Sequence, residues 1–344
     1  MKKKSKIHVL ILFGGKSAEH EVSVKSAKFV VNSLNTKKYK VTLIGISKNG
    51  EWALFSKEEF HLLESVVITR RNKSKLSGII SIIEKQKPDI AFPILHGPNG
   101  EDGTIQGFFK TINIPHVGAD VIGSAVGMDK DIMKRLLRDC QLPIADFIVF
   151  RKEALGLINF KDIKKKLGVP FFVKPANLGS SVGITKVACE ADLKTSLSHA
   201  FSFDKKILIE KYVPGREIEC AIIGTKNPKA SICGEIISRH DFYSYDAKYI
   251  DKKGSELLIP APINKTIEQR IKELAIKTFE VLECRDFARV DFFLTSDNKI
   301  YINEINTIPG FTPSSMFPKL WQQCGINSED LVDELISLAL ESKP

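Results

Sequence analysis

Two apolar runs near the end of the chain, Phe287-Ala-Arg-Val-Asp-Phe-Phe-Leu294 and Lys299-Ile-Tyr-Ile-Asn-Glu-Ile-Asn306, leave few options for what they fold into. Both are rich in β-branched and aromatic residues, and Thr295-Ser-Asp-Asn298 between them has turn composition, so they predict a β-hairpin. Pairing Leu294 with Lys299 sets Arg289 opposite Glu304 and Asp291 opposite Ile302. Side chains two apart share a strand face, and so do directly opposed residues. Arg289, Asp291, Glu304 and Asn306 are therefore expected on one side, as two carboxylates and a carboxamide beside a guanidinium. Such oxygen-only ligands suit a hard cation such as Mg²⁺.

A surface hairpin with solvated charges is the plain alternative. Against it, Asp291 and Glu304 sit inside Val290-Asp-Phe-Phe-Leu294 and Ile302-Asn-Glu-Ile305, whose apolar residues imply a buried face. Two unneutralised carboxylates about 4 Å apart repel by roughly 4 kcal/mol at an effective dielectric of about 20. Arg289 compensates for this only in part, so the pattern favours a metal site.

The formal charge of +10 invites a nucleic-acid reading. The excess is scattered lysine, as at Lys164 to Lys166 and Lys252-Lys253, without interleaved aromatics, and solvated faces explain it better. No nucleic-acid or membrane partner is expected, since no apolar run approaches the length of a membrane span. Met1 to Lys6 followed by Ile7 to Phe13 has the outline of a signal peptide, but the run is short, contains His8 and ends in Gly14-Gly15. A buried first strand is expected there instead. Six widely spaced cysteines without a C-x-x-C pair argue for reduced thiols and a cytoplasmic setting.

In chain order, Ile7 to Phe13 reads as a strand, then a glycine turn and a helix through Val31. Tyr39 to Ser47 and Asp89 to Leu95 read as further strands, with a helix around Ile79 to Glu84 between them. This alternation predicts a doubly wound parallel sheet whose carboxyl ends form a crevice, where His96-Gly-Pro-Asn-Gly-Glu-Asp-Gly103 would sit. Gly14-Gly15 matches neither the dinucleotide fingerprint nor a Walker loop, which speaks against a dehydrogenase. Val169 to Pro175 and Ile184 to Val187 flank Ala176-Asn-Leu-Gly-Ser-Ser-Val-Gly183, a glycine-serine loop able to close over phosphates beside Lys174. Glu210, Lys211 and Glu217 lie at a strand-to-strand junction that suits exposed strand charges and hydrogen bonds to a nucleotide's base and ribose equally. The tyrosine-rich stretch Arg239 to Ile250 has the length of a lid or binding loop.

These stretches together resemble the ATP-grasp enzymes, and within them the D-alanine:D-alanine ligase family, over nearly the full chain. The resemblance rests on Gly14-Gly-Lys-Ser-Ala-Glu-His-Glu-Val-Ser23, His96-Gly-x-x-Gly-Glu-Asp-Gly103, Met128-Asp-Lys130, Lys174-Pro-x-x-x-Gly-Ser-Ser-Val-Gly183, Phe242-Tyr-x-Tyr-x-x-Lys-Tyr249, Arg289-x-Asp291 and Glu304-x-Asn-Thr-x-Pro-Gly-x-Thr-x-x-Ser315. It implies an α/β fold, α+β in the ATP-grasp part, with three domains. These are a Rossmann-like domain over 1–118, a central ATP-grasp subdomain over 119–212, and a C-terminal ATP-grasp and metal domain over 213–344.

The implied reaction joins two D-alanines for cell-wall synthesis through an acyl phosphate and a tetrahedral intermediate. By motif match, Lys130 and Lys174 would hold the α and β phosphates of ATP, and Lys248 the γ-phosphate as the lid closes. Glu210, Lys211, Val213, Glu217 and Ser181 would complete the nucleotide site. Asp291, Glu304 and Asn306 would hold two Mg²⁺ ions, or Mn²⁺ in their place. Arg289 and the Gly310 amide would stabilise the oxyanion, while Glu19 would pair with the first D-alanine's ammonium and, through Ser180 and Tyr249, tie the lid down. Ser315 would bind the second carboxylate, with His96 near the substrate. The family also implies a homodimer. Tyr249 favours D-alanine as acceptor over D-lactate, with a D-lactate or D-serine ligase and an inactive ATP-binding regulator as alternatives. Two positions depart from the family pattern, His20 where an arginine is common and Ser244 where the lid often has an aspartate.

Overall fold

A computed structural model describes residues 5–68, 73–238 and 255–342 of the chain. The expected lid, including Ser244, Lys248 and Tyr249, lies outside the described residues.

The first sheet has the order β4-β3-β2-β1-β5, built from β1 (Ile7–Gly14), β2 (Tyr39–Ile46), β3 (Trp52–Phe55), β4 (Lys73–Ser74) and β5 (Ile90–Ile94). Strand β1 runs parallel to both β2 and β5 and is buried on both faces, which is why its sequence is a continuous apolar run rather than an alternation. Helix His20–Ser33 covers one face through Val24, Ala27 and Val30. Helices Leu76–Gln86 and Thr104–Thr111 cover the other through Ile79, Ile83, Ile105 and Phe109, completing the doubly wound layer. Antiparallel β3 and β4 form an edge that the sequence reading does not include.

A second sheet, entirely antiparallel, has the order β6-β9-β7-β8, from β6 (Phe147–Arg151), β7 (Phe171–Pro175), β8 (Thr185–Val187) and β9 (Lys206–Lys211). The third is also antiparallel, in the order β12-β11-β10-β13-β14, from β10 (Gly215–Ile223), β11 (Lys229–Ser238), β12 (Ser255–Leu258), β13 (Phe287–Thr295) and β14 (Ile300–Asn306). Helix Lys265–Val281 packs on one face of it, over Ile218, Cys220, Ile222, Val290, Phe292, Ile302 and Ile305.

Alternation along β13 gives that strand two destinations. Ala288, Val290, Phe292 and Leu294 point into the helix-covered core, while Phe287 packs into the core shared with the first sheet. Arg289 and Asp291 follow Phe287 on its face and lead into the cleft, which Asp291 and Phe293 line. The register differs from the expectation: Leu294 pairs with Ile300, Asp291 with Glu304, and Arg289 with Asn306. The first shift comes from a connection one residue longer than expected, Thr295 to Lys299, and the second from a bulge between Asp291 and Phe292 that leaves one extra residue, Asn303, on β14. Without it Ile302 and Glu304 would share a face. With it, Ile302 and Ile305 both reach the apolar core and Glu304 still faces the cleft.

Candidate active site

The cleft lies between the second and third sheets. Phe172, Lys174, Glu210 and Lys211 line it from one side, and Glu217, Glu219, Asp291, Phe293 and Glu304 from the other. Lys130, Ser181 and Val213 complete its wall, so the residues expected around the nucleotide phosphates and base gather on one opening. Lys211 is half exposed, with Asp146 3.9 Å away.

Three carboxylates form a row across the third sheet, because Asp291 stands directly opposite Glu219 on β10 and Glu304 on β14. Arg289 donates to both oxygens of Asp291 at 2.7 Å, and its Nε lies 2.9 Å from Glu219. Burial opposes the guanidinium charge, but Asp291 and Glu219 prevail and hold its pKa well above the ordinary value. Asn306 donates to Asp291 at 2.9 Å, and Lys130 Nζ lies 3.4 Å from Glu304. Three carboxylates among the described residues thus face one guanidinium and one ammonium. Among the described residues no three acidic, histidine or cysteine side chains close on a common point. A row of this kind fits a hard cation that shares its coordination with phosphate oxygens rather than one caged by protein alone.

Sequence reading does not single out Glu219, which is only 4 % exposed. Period-two spacing from Glu217 places it on the cleft face, but its partnership with Asp291 depends on a long-range strand pairing. Lys206, also absent from the expected set, organises the opposite wall. Its ammonium donates to both oxygens of Asp129, at 2.7 and 2.5 Å, and to Asp131 at 3.2 Å. Asp129 in turn caps helix Lys130–Asp139 by accepting from the amides of Asp131 and Ile132. The Lys130 amide bonds Ala176 O and the Ala176 amide bonds Lys206 O, each at 3.0 Å. Lys130 Nζ then reaches Leu178 O at 2.6 Å. The helix start and the glycine-serine loop are thereby held as one unit. At the loop's tip Ser180 and Ser181 both take left-handed conformations, φ 52° and 58°, a strain of the kind concentrated at ligand clamps.

Glu19 stands at the N-terminus of helix His20–Ser33, its amide donating to Ser17 Oγ at 3.0 Å. A Cβ on Gly97 would stand 3.2 Å from Glu19 Oε2, and one on Gly179, beside Ser180, 3.6 Å from it. The Glu19 carboxyl therefore sits where the first sheet meets the glycine-serine loop. His20 is fully buried, its Nδ1 donating to Gly15 O at 2.8 Å and its Nε2 accepting from the Val66 amide at 2.9 Å. It pins the glycine turn beneath Glu19.

His96 and Glu101 fasten the loop after β14 to the first sheet. His96 Nδ1 donates to Ile308 O at 2.9 Å, and its Nε2 meets Ser26 Oγ, which accepts from the Phe311 amide at 3.2 Å. Burial lowers the pKa of His96. Glu101 accepts from the amides of Gly97 and Ile308 at 2.7 and 3.0 Å. Burial first and neighbouring Glu19 second push its pKa up to about 8. Within the fastened loop, a Cβ on Gly310 would stand 2.9 Å from Ser315 Oγ, which accepts from the Thr312 amide at 3.0 Å.

Comparison with known proteins agrees with this geometry. Residues 8–119 match the family model described as the D-ala D-ala ligase N-terminus, and residues 136–337 that described as the C-terminus. The D-alanine–D-alanine ligase of Shouchella clausii is 47 % identical over 352 residues, covering 98 % of this chain and 95 % of that protein. D-alanine–D-alanine ligase A of Escherichia coli is 46 % identical over 350 residues, covering 98 % and 96 %. Among solved structures, the D-alanine–D-alanine ligase from Coxiella burnetii superposes with a TM-score of 0.82 at 36 % identity, covering 98 % of this chain and 96 % of that one. The VanG D-Ala:D-Ser ligase from Enterococcus faecalis gives 0.83 at 34 % identity, covering 97 % and 100 %. A shared fold, matched across both halves of the chain at such identity, places this protein in the D-alanine–D-alanine ligase family.

Proposed function

We infer that the chain is an ATP-dependent ligase that joins two D-alanines into D-alanyl-D-alanine for peptidoglycan precursors. The observation that carries this is the Glu219–Asp291–Glu304 row with Arg289, facing Lys130 and Lys174 across one cleft. Such a site suits phosphoryl transfer, where positioning and charge neutralisation do most of the work. Bound Mg²⁺ would neutralise the phosphate oxygens, held by Asp291, Glu304 and Asn306. Lys130 and Lys174 orient the ATP phosphates, and Ser181, Lys211, Val213 and Glu217 shape the rest of the nucleotide site. A D-alanine carboxylate, its ammonium paired with Glu19, attacks the γ-phosphate, breaking its bond to the bridging oxygen, and forms D-alanyl phosphate and ADP. The second D-alanine's amine then attacks that carbonyl, and the tetrahedral intermediate, having lost a proton from the amine, expels inorganic phosphate. Arg289 and the Gly310 amide stabilise the developing oxyanion, and Ser315 takes the acceptor carboxylate. His96 and Glu101 keep the Gly310 loop in place through Ile308. Lys248 and Tyr249 belong to the closing lid in this reading.

Three sheets in sequence order support the division at about residues 118 and 212. Six free thiols support a cytoplasmic setting. Among the described residues no helix is long and apolar enough to cross a membrane. The homodimer rests on family resemblance alone.

The test is ATP-dependent phosphate release with D-alanine and Mg²⁺, comparing wild type with Glu304→Gln and identifying the product by mass. Release coupled to D-alanyl-D-alanine and lost in the variant supports the reading. Nucleotide binding without product moves the chain to a regulatory role. Likeness to a D-Ala:D-Ser ligase makes mixed acceptors worth including, and a dominant D-alanyl-D-serine product would overturn the acceptor assignment.

A further inference from the structure

Lys134 lies on helix Lys130–Asp139, one turn beyond Lys130, and is only 1 % exposed. It stands behind the cleft wall rather than in it. Desolvating an ammonium costs several kcal/mol, so an apolar side chain would suit the position better unless the charge has a use. Lys134 Nζ is 2.6 Å from Glu210 Oε1, and Glu210 Oε2 is 2.5 Å from Lys174 Nζ. One carboxylate is thus shared by two lysines, and of these three only Lys174 and Glu210 reach the cleft. Burial works against the Glu210 charge, but Lys134 and then Lys174 bring its pKa down to about 2. Glu210 is therefore a fixed anion.

Burial lowers the pKa of Lys134 while Glu210 at 2.6 Å supports its charge, and with both lysines ionised the cluster sets two ammonium groups against one carboxylate, a surplus of one positive charge. If the position of Lys134 were apolar, Glu210 would neutralise Lys174 one for one, and that pair would offer no net charge to an incoming polyphosphate beside Lys130. With Lys134 present, Lys174 can turn from Glu210 to a phosphate oxygen without stranding a buried carboxylate. We propose that Lys134 is a positioning residue for the nucleotide: it holds Glu210 so that Lys174 is released to the phosphates of ATP. Glu210 then serves as the shared counterion of two lysines rather than as a side-chain contact to the base. The inference rests on the nucleotide reading above.

Calorimetric titration with Mg-ADP tests it on wild type, Lys134→Met, Glu210→Gln and the double variant. Removing one buried charge near the phosphates weakens binding about tenfold or more in Lys134→Met. The KM for ATP rises with it, while the KM for D-alanine and kcat stay within about threefold, a split that general loosening of the fold does not produce. In the double variant the lone Lys174 again carries the surplus charge, so affinity returns to within about threefold of wild type. Two outcomes overturn the proposal: Lys134→Met binding as wild type does, or the double variant binding no better than the single, as expected if Glu210 itself contacted the base. Should Lys134→Met fail to fold, the double variant still decides, because it leaves no buried unpaired carboxylate. Failure of wild type to bind Mg-ADP would sink the nucleotide reading and this inference together.

Discussion

Replacing Arg289 with Met removes the guanidinium that sits within the carboxylate row, at 2.7 Å from both oxygens of Asp291 and 2.9 Å from Glu219. Glu219 and Asp291 then face each other on neighbouring strands without the guanidinium between them. Opposed carboxylates roughly 5 Å apart repel by about 3 kcal/mol at an effective dielectric of about 20. Removing one partner of a buried ion pair generally costs about 3–5 kcal/mol, and Arg289→Met should lose that much stability at pH 7.5. Repulsion also raises the pKa of one carboxylate in the folded variant above its unfolded value of about 4. The penalty is therefore full above that raised value and fades as pH falls through it, so the gap to wild type closes towards pH ~5. Millimolar Mg²⁺ should likewise stabilise the variant more than wild type. Urea midpoints followed by the fluorescence of Trp321, buried in the core beside this sheet, measure all three effects. A loss below about 1 kcal/mol, or a gap that ignores pH, would refute the assignment of Arg289 as the row's counter-charge.

Three further perturbations test other parts of the structure. Burial first, and Arg285 second, lower the pKa of His116 to about 4. Its contribution is full above the unfolded value of about 6.5 and is lost as pH falls towards 4, about 3 kcal/mol in all, so His116→Asn should flatten the acid limb of stability measured from pH ~7 to ~4.5; an unaltered limb would count against this. A Cβ at Gly100 would stand 2.0 Å from Leu95 O, so Gly100→Ala should lose about 3 kcal/mol in urea unfolding and, by displacing Glu101, most of the ligase rate. Asp129→Ala removes a helix cap and the closest partner of Lys206, which should cost about 1–2 kcal/mol in the same assay and raise the KM for ATP several-fold; an unchanged KM would show that Lys130 keeps its place without the cap.

The fold was legible where local pattern sufficed. Continuous burial in β1 and strict alternation in β13 are stated by their residue types, and the four residues placed on one hairpin face do share it. The register was not legible, because the bulge at Asn303 satisfies a conflict between Ile302 and Glu304 that exists only once a core and a cleft lie on opposite faces. A strand whose apolar residues sit three apart, as Ile302 and Ile305 do, is the one signal of it. Glu219 and Lys134 were missed for a related reason. Glu219 acquires its meaning from β10 lying beside β13, and Lys134 reads as one more surface lysine of a basic helix until Glu210 is brought against it. Lys206 belongs with them, since its carboxylate partners are some 77 residues away in sequence.

Phe92 of β5 meets Phe287 and Phe311 edge to face at 6.3 and 6.4 Å, and Phe317 joins the same cluster. Leu331, Val332, Leu335 and Ile336 of the final helix, Ser328–Glu341, complete that core against the first sheet. The first sheet is therefore sealed by a helix about 240 residues further along the chain. At about 5–20 residues per second, the roughly 240 residues between Ile94 and Leu335 take about 12–50 s to emerge from a ribosome. Throughout that interval the face of the nascent first sheet that helix His20–Ser33 shares with the final helix is only partly covered. Part of an apolar core thus stays open during translation, and holdase chaperones acting on the nascent chain should raise the yield of the enzyme.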